Sequence, residues 1–469
     1  MNKGLKNKVR HIITEFANEI STTKREVPNS EVIKFRDDRI VNRIRKAYKV
    51  PIELLRFRKD NGRIASDVMT YENNKGPLNE ATDFGQSELK KFLERKDPDP
   101  TMELTNSIVK EGQDRPAIIT ADGFLINGNR RKMVLEKLLN NHKGDVRYKY
   151  LKVIILPGHN ETEPPPTIEE IEQIENRYQF QREGKAEYYN FDMALAVKRK
   201  MELGMDLEEI LLDDPNYESL TGKKLQDAMK KFKDEYLEPL KCIDKYLEFL
   251  KRPGHYNTVS EGRGDSQGRW QAFLDYYNSV HKKFFNEKDR IKLGIEDGDE
   301  GKIENIAYRI IRKRDFTQIE KKSHQIMRDI PKLIQNAHAK KELFKLLKID
   351  LDLPEEELVD EEGNPVSEKT KDDLWSNKNA RDIIWHLKKA YDFVEQKKEM
   401  DTPLDLLNAS LDKLNHPNMD IKVIEFDRIS EAMKVAREIQ TRANELEHLM
   451  YDAKKNKDKL VEKFKKHKK

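Results

Sequence analysis

Hydrophobic and polar residues alternate with different periods in successive parts of the chain. Up to about residue 48 the pattern is helical and basic, with apolar residues at positions 12, 13, 16 and 20 on one face. Between residues 51 and 156 the pattern predicts short β-strands at residues 117–120, 124–126 and 153–156. Asp122-Gly123 lies between the first two runs and predicts a hairpin. Apolar positions at 133, 135 and 138 then predict a helix over 130–139.

Beyond a Pro-rich, acidic connection at residues 157–167, the pattern is almost entirely helical. Two long apolar stripes at helical spacing follow. The first is Leu225, Met229, Phe232, Tyr236 and Leu240; the second is Phe426, Ile429, Met433, Ala436, Ile439, Ala443, Leu446 and Met450. The second stripe predicts either the face of a helical bundle, which we favour, or a short coiled coil.

These periods predict an α+β protein in which a small α/β domain precedes a large, mainly α-helical region. We expect four segments: a helical extension over 1–48, an α/β domain over 49–157, a helical domain over 158–252, and a helical C-terminal region over 253–469. The last segment ends in a basic tail, with nine lysines from Tyr451 onward. Such a tail attracts polyanions or serves as a solubilising terminus.

Composition narrows the functional classes. Charged residues make up 38% of the chain and hydrophobic residues 36%, yet the net charge is only +4, so overall charge does not by itself indicate nucleic acid. Cys242 is the single cysteine, which excludes an intrachain disulfide or a cysteine metal cluster, and we expect it to be buried. No apolar run is long enough to span a bilayer, and we expect a soluble cytoplasmic protein without a membrane partner.

A phosphate-binding turn is the best-defined candidate site. Ile126 ends a predicted strand, Gly128 permits a sharp turn, and Asn129 is a candidate N-cap for the following helix. Arg130 and Arg131 add guanidinium groups beside the unsatisfied amides of the helix start. This combination suits an anion. By itself the pattern is weak, and an ordinary strand-to-helix turn with surface arginines is the alternative.

Four ordered segments strengthen this interpretation: IELLRFRKDNGRI from Ile52, LTNSIVKEGQDRPAIIT from Leu104, ADGFLINGNRRKMVLEKL from Ala121 and IEQIENRYQFQREGKAEY from Ile171. Together they resemble the N-terminal domain of the ParB/sulfiredoxin-like superfamily over about residues 50–190. The resemblance implies a nucleotide-binding domain that takes CTP or ATP with Mg²⁺. It also implies an association with DNA, in plasmid or phage maintenance or in anti-phage defence of bacteria.

Site residues follow from this resemblance position by position. Gly128 and Arg131 match the glycine and arginine of the family's phosphate motif G-x-x-R-x-x-A, in which Val134 replaces the alanine. Arg63 matches the arginine of the opening motif. Asn61 stands where nucleotide-hydrolysing members often have glutamine, so the resemblance makes it a candidate for positioning water.

The second motif of the family, E-N-x-x-R, is only partly present. Glu175 and Asn176 match its first two residues, which implies phosphate contact by Asn176 and catalysis or Mg²⁺ binding by Glu175. Gln179 stands in place of the arginine, and Arg177 or Arg182 are the candidate substitutes. This departure weakens the case for hydrolysis more than the case for binding. The sulfiredoxin branch needs a cysteine in the phosphate turn, which this chain lacks.

A helix-turn-helix-like segment follows, as in chromosome-partition members of the family. A short helix over 207–212 precedes a second helix, for which Ser219 or Thr221 is the candidate N-cap. The second helix carries the candidate DNA-binding residues Lys223, Lys224, Gln226 and Lys230. A plain helical bundle is the alternative. A second basic stretch, RIIRKRDF from Arg309, is interpreted as a solvated face in preference to a phosphate contact.

Three functions therefore remain open. The first is a nucleotide-dependent, DNA-associated protein that binds CTP or ATP and is a candidate nucleoside triphosphatase. The second is a metal-dependent DNA nuclease, for which Asp114, Asp122 and Glu175 are the candidate carboxylates. The third is a non-enzymatic scaffold with a degenerate fold. In each case the C-terminal helices are candidates for forming a homodimer or binding a protein partner.

Overall fold

The computed structural model describes residues 7–38, 40–96, 98–142, 145–159, 161–179, 190–214, 216–260, 269–359, 363 and 365–466. It combines one small sheet with many helices, which confirms the α+β class. The chain divides into two units, Met1–Val394 and Glu395–Lys469. Among the described residues, no helix is both long enough and apolar enough to cross a membrane.

The sheet has four strands: β1 (Arg25–Glu31), β2 (Arg45–Pro51), β3 (Ala117–Ile119) and β4 (Tyr150–Ile155). Their order is β1-β2-β4-β3. The β1–β2 and β2–β4 pairs are antiparallel, whereas β3 lies parallel to β4, in the register Ile118 opposite Ile154. The sheet is therefore mixed, and β4 joins its antiparallel part to its parallel part.

The prediction that residues 1–48 are helical is wrong for most of that segment. Of its described residues, 7–38 and 40–48, Thr14–Thr23 alone form a helix, and β1 and the start of β2 lie in the remainder. Strand β1 is an edge strand in which the register shifts between Val27 and Ser30, around Pro28. Proline is tolerated in such irregular edge positions. The pairing with β2, rather than any local alternation of apolar residues, makes this segment extended.

The predicted hairpin and the last predicted strand are confirmed. The Thr120 amide donates to the Phe124 carbonyl (3.0 Å), and the Ile126 amide donates to the Ile118 carbonyl (2.9 Å). Gly123 has φ +84, and a Cβ on it would lie 2.7 Å from the Leu54 carbonyl oxygen. A glycine is therefore required at this turn.

Helices cover both faces of the sheet. Ala117, Ile119 and Val153 face a core that includes Leu135, whereas Ile118 and Ile154 face the opposite side against Ile171 and Ile174. This alternation follows from the two-residue period of strands. The helices of this part are α1 (Thr14–Thr23), α2 (Ala65–Lys75), α3 (Asp83–Arg95), α4 (Pro98–Glu111), α5 (Asn129–Asn141) and α6 (Ile168–Gln179).

The remainder of the first unit is helical and has its own core. That core contains Trp270, Trp375 and Tyr308, together with Cys242, whose pKa is raised to about 12 by burial. The expectation that Cys242 is a buried small residue is confirmed. The helices are α7 (Asn190–Glu202), α8 (Leu207–Leu212), α9 (Gly222–Phe232), α10 (Glu238–Phe249), α11 (Asn257–Ser260), α12 (Trp270–Ser279), α13 (Glu287–Leu293), α14 (Asp299–Lys313), α15 (Ser323–Gln335), α16 (Ala337–Phe344) and α17 (Glu368–Lys378).

One carboxylate links four of the segments in this helical core. Asp372 of α17 accepts hydrogen bonds from Arg252, from Arg269 and from Arg312 of α14. Burial alone raises the pKa of a carboxyl group, but these three guanidinium groups hold the pKa of Asp372 well below its usual range. The interpretation of the stretch from Arg309 as a solvated face is wrong, because Arg309, Arg312 and Lys313 are buried.

Two long helices, α18 (Ala380–Leu414) and α19 (Ile429–Lys466), account for the end of the described chain. The second apolar stripe lies on α19, as predicted, but it is not the covered face of a bundle. Ile439 is 43% exposed and Met450 is 47% exposed. The basic tail continues α19 as far as Lys466, and residues 467–469 lie outside the described part.

We predict that Asp372→Asn destabilises the first unit by about 3 kcal/mol or more, because it leaves three buried guanidinium groups without their carboxylate. Chemical denaturation followed by circular dichroism measures this loss. The matched control is Asp352→Asn, which breaks a pair with Lys251 whose side chains are 78% and 76% exposed. That variant should change stability by less than about 1 kcal/mol. Equal losses in the two variants would contradict a central role for Asp372.

Candidate functional site

The turn before α5 is built around Gly128. This residue has φ +88, and a Cβ on it would lie 2.7 Å from the Cβ of Ala117 in the neighbouring strand. The side chain of Asn127 accepts a hydrogen bond from the Ile118 amide (2.8 Å), which fixes the turn to the sheet. Only glycine combines this backbone conformation with so close an approach.

Asn129 is not the N-cap that the sequence predicts. It is the first residue of α5, while Gly128 holds the cap position without any side-chain hydrogen bond. The left-handed conformation of Gly128 moves the start of the helix by one residue. Asn129 is 7% exposed, and its Oδ1 is buried without a hydrogen-bond partner.

The side chain of Arg131 lies beside this turn. A Cβ on residue 128 would lie 3.4 Å from Nη2 of Arg131. The guanidinium group donates to the carbonyl of Arg115, and burial lowers the pKa of Arg131 to about 10, although Glu31 and Asp114 act in the opposite direction. Arg131 therefore stays charged at neutral pH but is poorly solvated, a state in which an anionic ligand would stabilise it. Arg130, the next residue back, is partly buried.

The opening motif forms a turn between the sheet and the helices. The Arg56 amide donates to Gly123, and the Leu125 amide donates to Arg56, so residues 55–57 lie alongside the hairpin. Asn61 then accepts a hydrogen bond from the Arg63 amide through Oδ1 (3.0 Å) and caps a short 3₁₀ helix over Gly62–Ile64. This contact gives Asn61 a structural role in the turn. Arg63 is partly buried beside it.

The second motif lies on α6 and contacts this opening turn. Glu175 accepts a hydrogen bond from the Gly62 amide (2.9 Å) through one carboxylate oxygen and from Arg58 through the other. Asn176 accepts one from Lys200 through Oδ1, while its Nδ2 is buried without a hydrogen-bond partner. The structure therefore brings Asn61, Arg63, Glu175 and Asn176 into one region, as the order of the motifs predicts.

The residues that hold this region together were missed by sequence reasoning. Arg58, which is 4% exposed, lies between Glu172 and Glu175 of α6. Burial lowers the pKa of a guanidinium group, but these two carboxylates more than compensate, and the pKa of Arg58 is raised. Burial also lowers the pKa of Lys200, despite Glu172 and Glu175. The signal available in the sequence was the spacing of Glu172 and Glu175, which lie three residues apart and therefore on one face of the helix.

A cavity of about 440 Å³ opens beside this network. Arg199 of α7 bridges Asp60 and Glu172, with 2.8 Å to each carboxylate. Asp60, whose side chain is 46% exposed, and Glu80 both line the cavity. Burial and the charge of Asp60 raise the pKa of Glu80, whereas the charges of Arg199 and Arg58 lower the pKa of Asp60. The two carboxyl groups therefore differ in proton affinity, as in acid–base pairs.

Arg177 and Arg182 are the candidate substitutes for the missing arginine of the second motif. Arg177 donates to Asp213 (2.8 Å) and to the Lys34 carbonyl (3.2 Å), so it is committed to other contacts. Arg182 lies outside the described residues, as does the side chain of Gln179.

The carboxylates expected to bind a metal do not form a metal site in the described part of the chain. No group of three or more His, Cys, Asp or Glu side chains is placed there to hold an ion. Both oxygens of Glu175 already accept hydrogen bonds. Asp122 is fixed by Arg10, Thr120 and the Ile13 amide, and Asp114 is exposed. Glu175 therefore does not fit a direct Mg²⁺ ligand in this arrangement.

The predicted basic helix is present. Helix α8 matches its predicted bounds, and α9 begins at Gly222 after Thr221, whose side chain makes no capping hydrogen bond. Thr221 therefore occupies the N-cap position, as predicted. The prediction that its side chain caps the helix is wrong. The candidate DNA-binding side chains are all exposed: Lys223, Lys224, Gln226 and Lys230.

No protein-family model, curated protein or solved structure matches this chain.

We predict that Gly128→Ala destabilises the protein more than Gly294→Ala does. Both glycines are left-handed, so each substitution costs about 1–2 kcal/mol in backbone strain. A Cβ at residue 294 meets no atom within 4 Å, whereas one at residue 128 meets Ala117. The clash should add at least about 1 kcal/mol, measured by urea denaturation. Equal losses would show that the turn has room for a side chain.

Proposed function

We propose that residues 50–190 form a nucleotide-binding domain of the ParB/sulfiredoxin-like class, with the phosphates of CTP or ATP at the start of α5. The observation that carries this proposal is the geometry of the Gly128 turn. A left-handed glycine packed against Ala117 opens a helix, and the Arg131 guanidinium lies against the same turn. A helix start leaves its first amides without intrahelical acceptors, and its dipole favours anions.

Two buried polar atoms support this proposal. Oδ1 of Asn129 and Nδ2 of Asn176 lack hydrogen-bond partners, and each lies in one of the two motifs. Buried polar groups without partners are rare, and such an atom often marks the place of a ligand or water. Nδ2 of Asn176 is a donor and suits a phosphate oxygen, and Oδ1 of Asn129 is an acceptor and suits a nucleotide hydroxyl or amino group.

Binding is better supported than hydrolysis. Glu175 and Asn61, the candidate catalytic residues, are engaged by Arg58, Gly62 and Arg63. Any Mg²⁺ that arrives with the triphosphate would keep water and phosphate ligands, which it prefers. We therefore propose a switch-like role in which nucleotide occupancy alters the contacts between α6 and the opening turn. The nuclease alternative gains no support from Asp114, Asp122 or Glu175 as they are placed.

We further propose that α9 contacts DNA. Its exposed lysines lie on a short helix that follows α8, and α9 packs its apolar residues Leu225 and Phe232 inward. Lysines on such a face neutralise phosphates, and Gln226 is the residue with the chemistry to reach a base edge.

We predict that Arg131→Ala weakens nucleoside triphosphate binding about 10- to 100-fold, because a charge-assisted hydrogen bond contributes about 1.5–3 kcal/mol. Isothermal titration calorimetry with each of the four ribonucleotides measures this. The matched control is Arg147→Ala in the same domain, a residue that is 72% exposed and paired with Asp145; it should bind as the native chain does. Absence of binding by the native chain would refute the proposal, and unchanged binding by Arg131→Ala would place the phosphates elsewhere.

For DNA, we predict that the double variant Lys223→Ala with Lys224→Ala binds duplex DNA more weakly. The slope of the logarithm of the binding constant against the logarithm of the salt concentration should fall in magnitude by about 2, since each phosphate contact contributes about 0.9. Fluorescence anisotropy between low and moderate salt measures this slope. The control is Lys288→Ala with Lys292→Ala, two exposed lysines on α13. If both double variants lower the slope equally, the contact is not specific to α9.

A further inference from the structure

Helix α19 presents an exposed apolar face within the unit Glu395–Lys469. Ile429 is 36% exposed, Ile439 43% and Met450 47%. A face of this kind on a long helix marks an interaction surface, because isolated helices gain little stability without tertiary packing.

The spacing of the apolar residues is that of a coiled coil. Positions 429, 432, 436, 439, 443, 446, 450 and 453 alternate at intervals of three and four, as the a and d positions of heptads do. These eight positions define what we call the α19 seam. Their residues are Ile, Ala, Ala, Ile, Ala, Leu, Met and Ala, so half of them are large and half are small.

The large and small residues of the α19 seam are complementary when two copies of the helix lie antiparallel. If the two copies cross at the level of Thr441, every alanine of one copy faces a large side chain of the other. The facing pairs are Ile429 with Ala453, Ala432 with Met450, Ala436 with Leu446, and Ile439 with Ala443. Close-packed interfaces alternate large and small residues across facing positions. A parallel, in-register pair would instead stack alanine on alanine in half of its layers and leave voids.

The charges beside the seam agree with the same arrangement. In the antiparallel register, Arg442 of one copy is offset by two residues, about 3 Å along the axis, from Glu438 of the other. Arg437 has the same offset from Glu447 along the other edge of the seam. Near the axis the two copies of Arg442 approach each other, but each is paired with its own Glu445 (2.8 Å).

We propose that α19 binds α19 of a second copy of this chain, antiparallel, with the two-fold axis at Thr441. The interface is isologous, since the same strip serves both copies. The strip over 429–453 is about 37 Å long and about 10 Å wide, which is on the order of 400 Å² per copy. A standard interface buries about 800 Å² per partner, so this strip is of the size of a weak, transient interface, and we expect a dimer that depends on protein concentration.

Sedimentation equilibrium of the full chain from about 1 to about 100 μM tests association, and spin labels test its direction. Labels on Thr441→Cys lie at the same level and should be separated only by the width of the helix pair, about 20 Å. Labels on Glu431→Cys should in addition be separated along the axis by about 30 Å, which is 20 residues at 1.5 Å each. Cys242 stays unlabelled because it is buried. A chain that is monomeric throughout, or label distances that are equal at the two positions, would overturn the proposal.

An exchange of sizes tests the packing itself. Ala436→Leu creates a large–large layer and Leu446→Ala a small–small layer, so each should raise the dimer dissociation constant about tenfold. The double variant restores one large and one small residue in that layer and should return within about threefold of the native constant. His448→Leu, on the outward face, is the control and should leave the constant unchanged. Tighter association of Ala436→Leu, which a parallel pair requires, or failure of the double variant to recover would refute the antiparallel register.

Discussion

Two guanidinium groups, those of the buried Arg58 and of Arg199, hold together three segments of the candidate site that are distant in sequence. Arg58 lies between Glu172 and Glu175 of α6, while Asp60, next to it in the opening turn, is bound by Arg199 of α7. A charge that is 4% exposed is tolerated only because its carboxylates are close. This ion network adds to the hydrogen bond between the Gly62 amide and Glu175 and to the packing of Ile171 and Ile174 on the sheet, and together they bring the two motifs into contact.

The same network engages the candidate catalytic carboxylate. Both oxygens of Glu175 accept hydrogen bonds, from Arg58 and from the Gly62 amide. Nδ2 of Asn176 is buried without a hydrogen-bond partner, and burial lowers the pKa of Lys200 beside it. At the Gly128 turn, burial also lowers the pKa of Arg131, whose guanidinium group donates to the carbonyl of Arg115. These features support the proposal of phosphate binding more than a proposal of hydrolysis.

Local patterns predicted the hairpin, the strand β4, the helix α5 and the helices α8 and α9, because each carries strong turn or periodic signals. They did not predict β1 and β2, whose sequences REVPNSE and RKAYKVP have weak alternation; β1 depends on pairing with β2, and β2 on pairing with β4. Arg58 and Glu172 were missed because charged residues on a polar segment usually face solvent, and only the fold buries them together. The periodicity predicted an apolar stripe along α19, which shares six of its residues with the α19 seam, but whether that face contacts another part of the chain or another molecule depends on tertiary structure.

A crystal structure of the chain with a non-hydrolysable nucleoside triphosphate would show whether the start of α5 holds the phosphates. We expect phosphate density within hydrogen-bond distance of the α5 amides and the Arg131 guanidinium, with Asn176 within reach. Density for the nucleotide in the cavity beside Asp60 and Arg199, with the Gly128 turn empty, would refute this assignment.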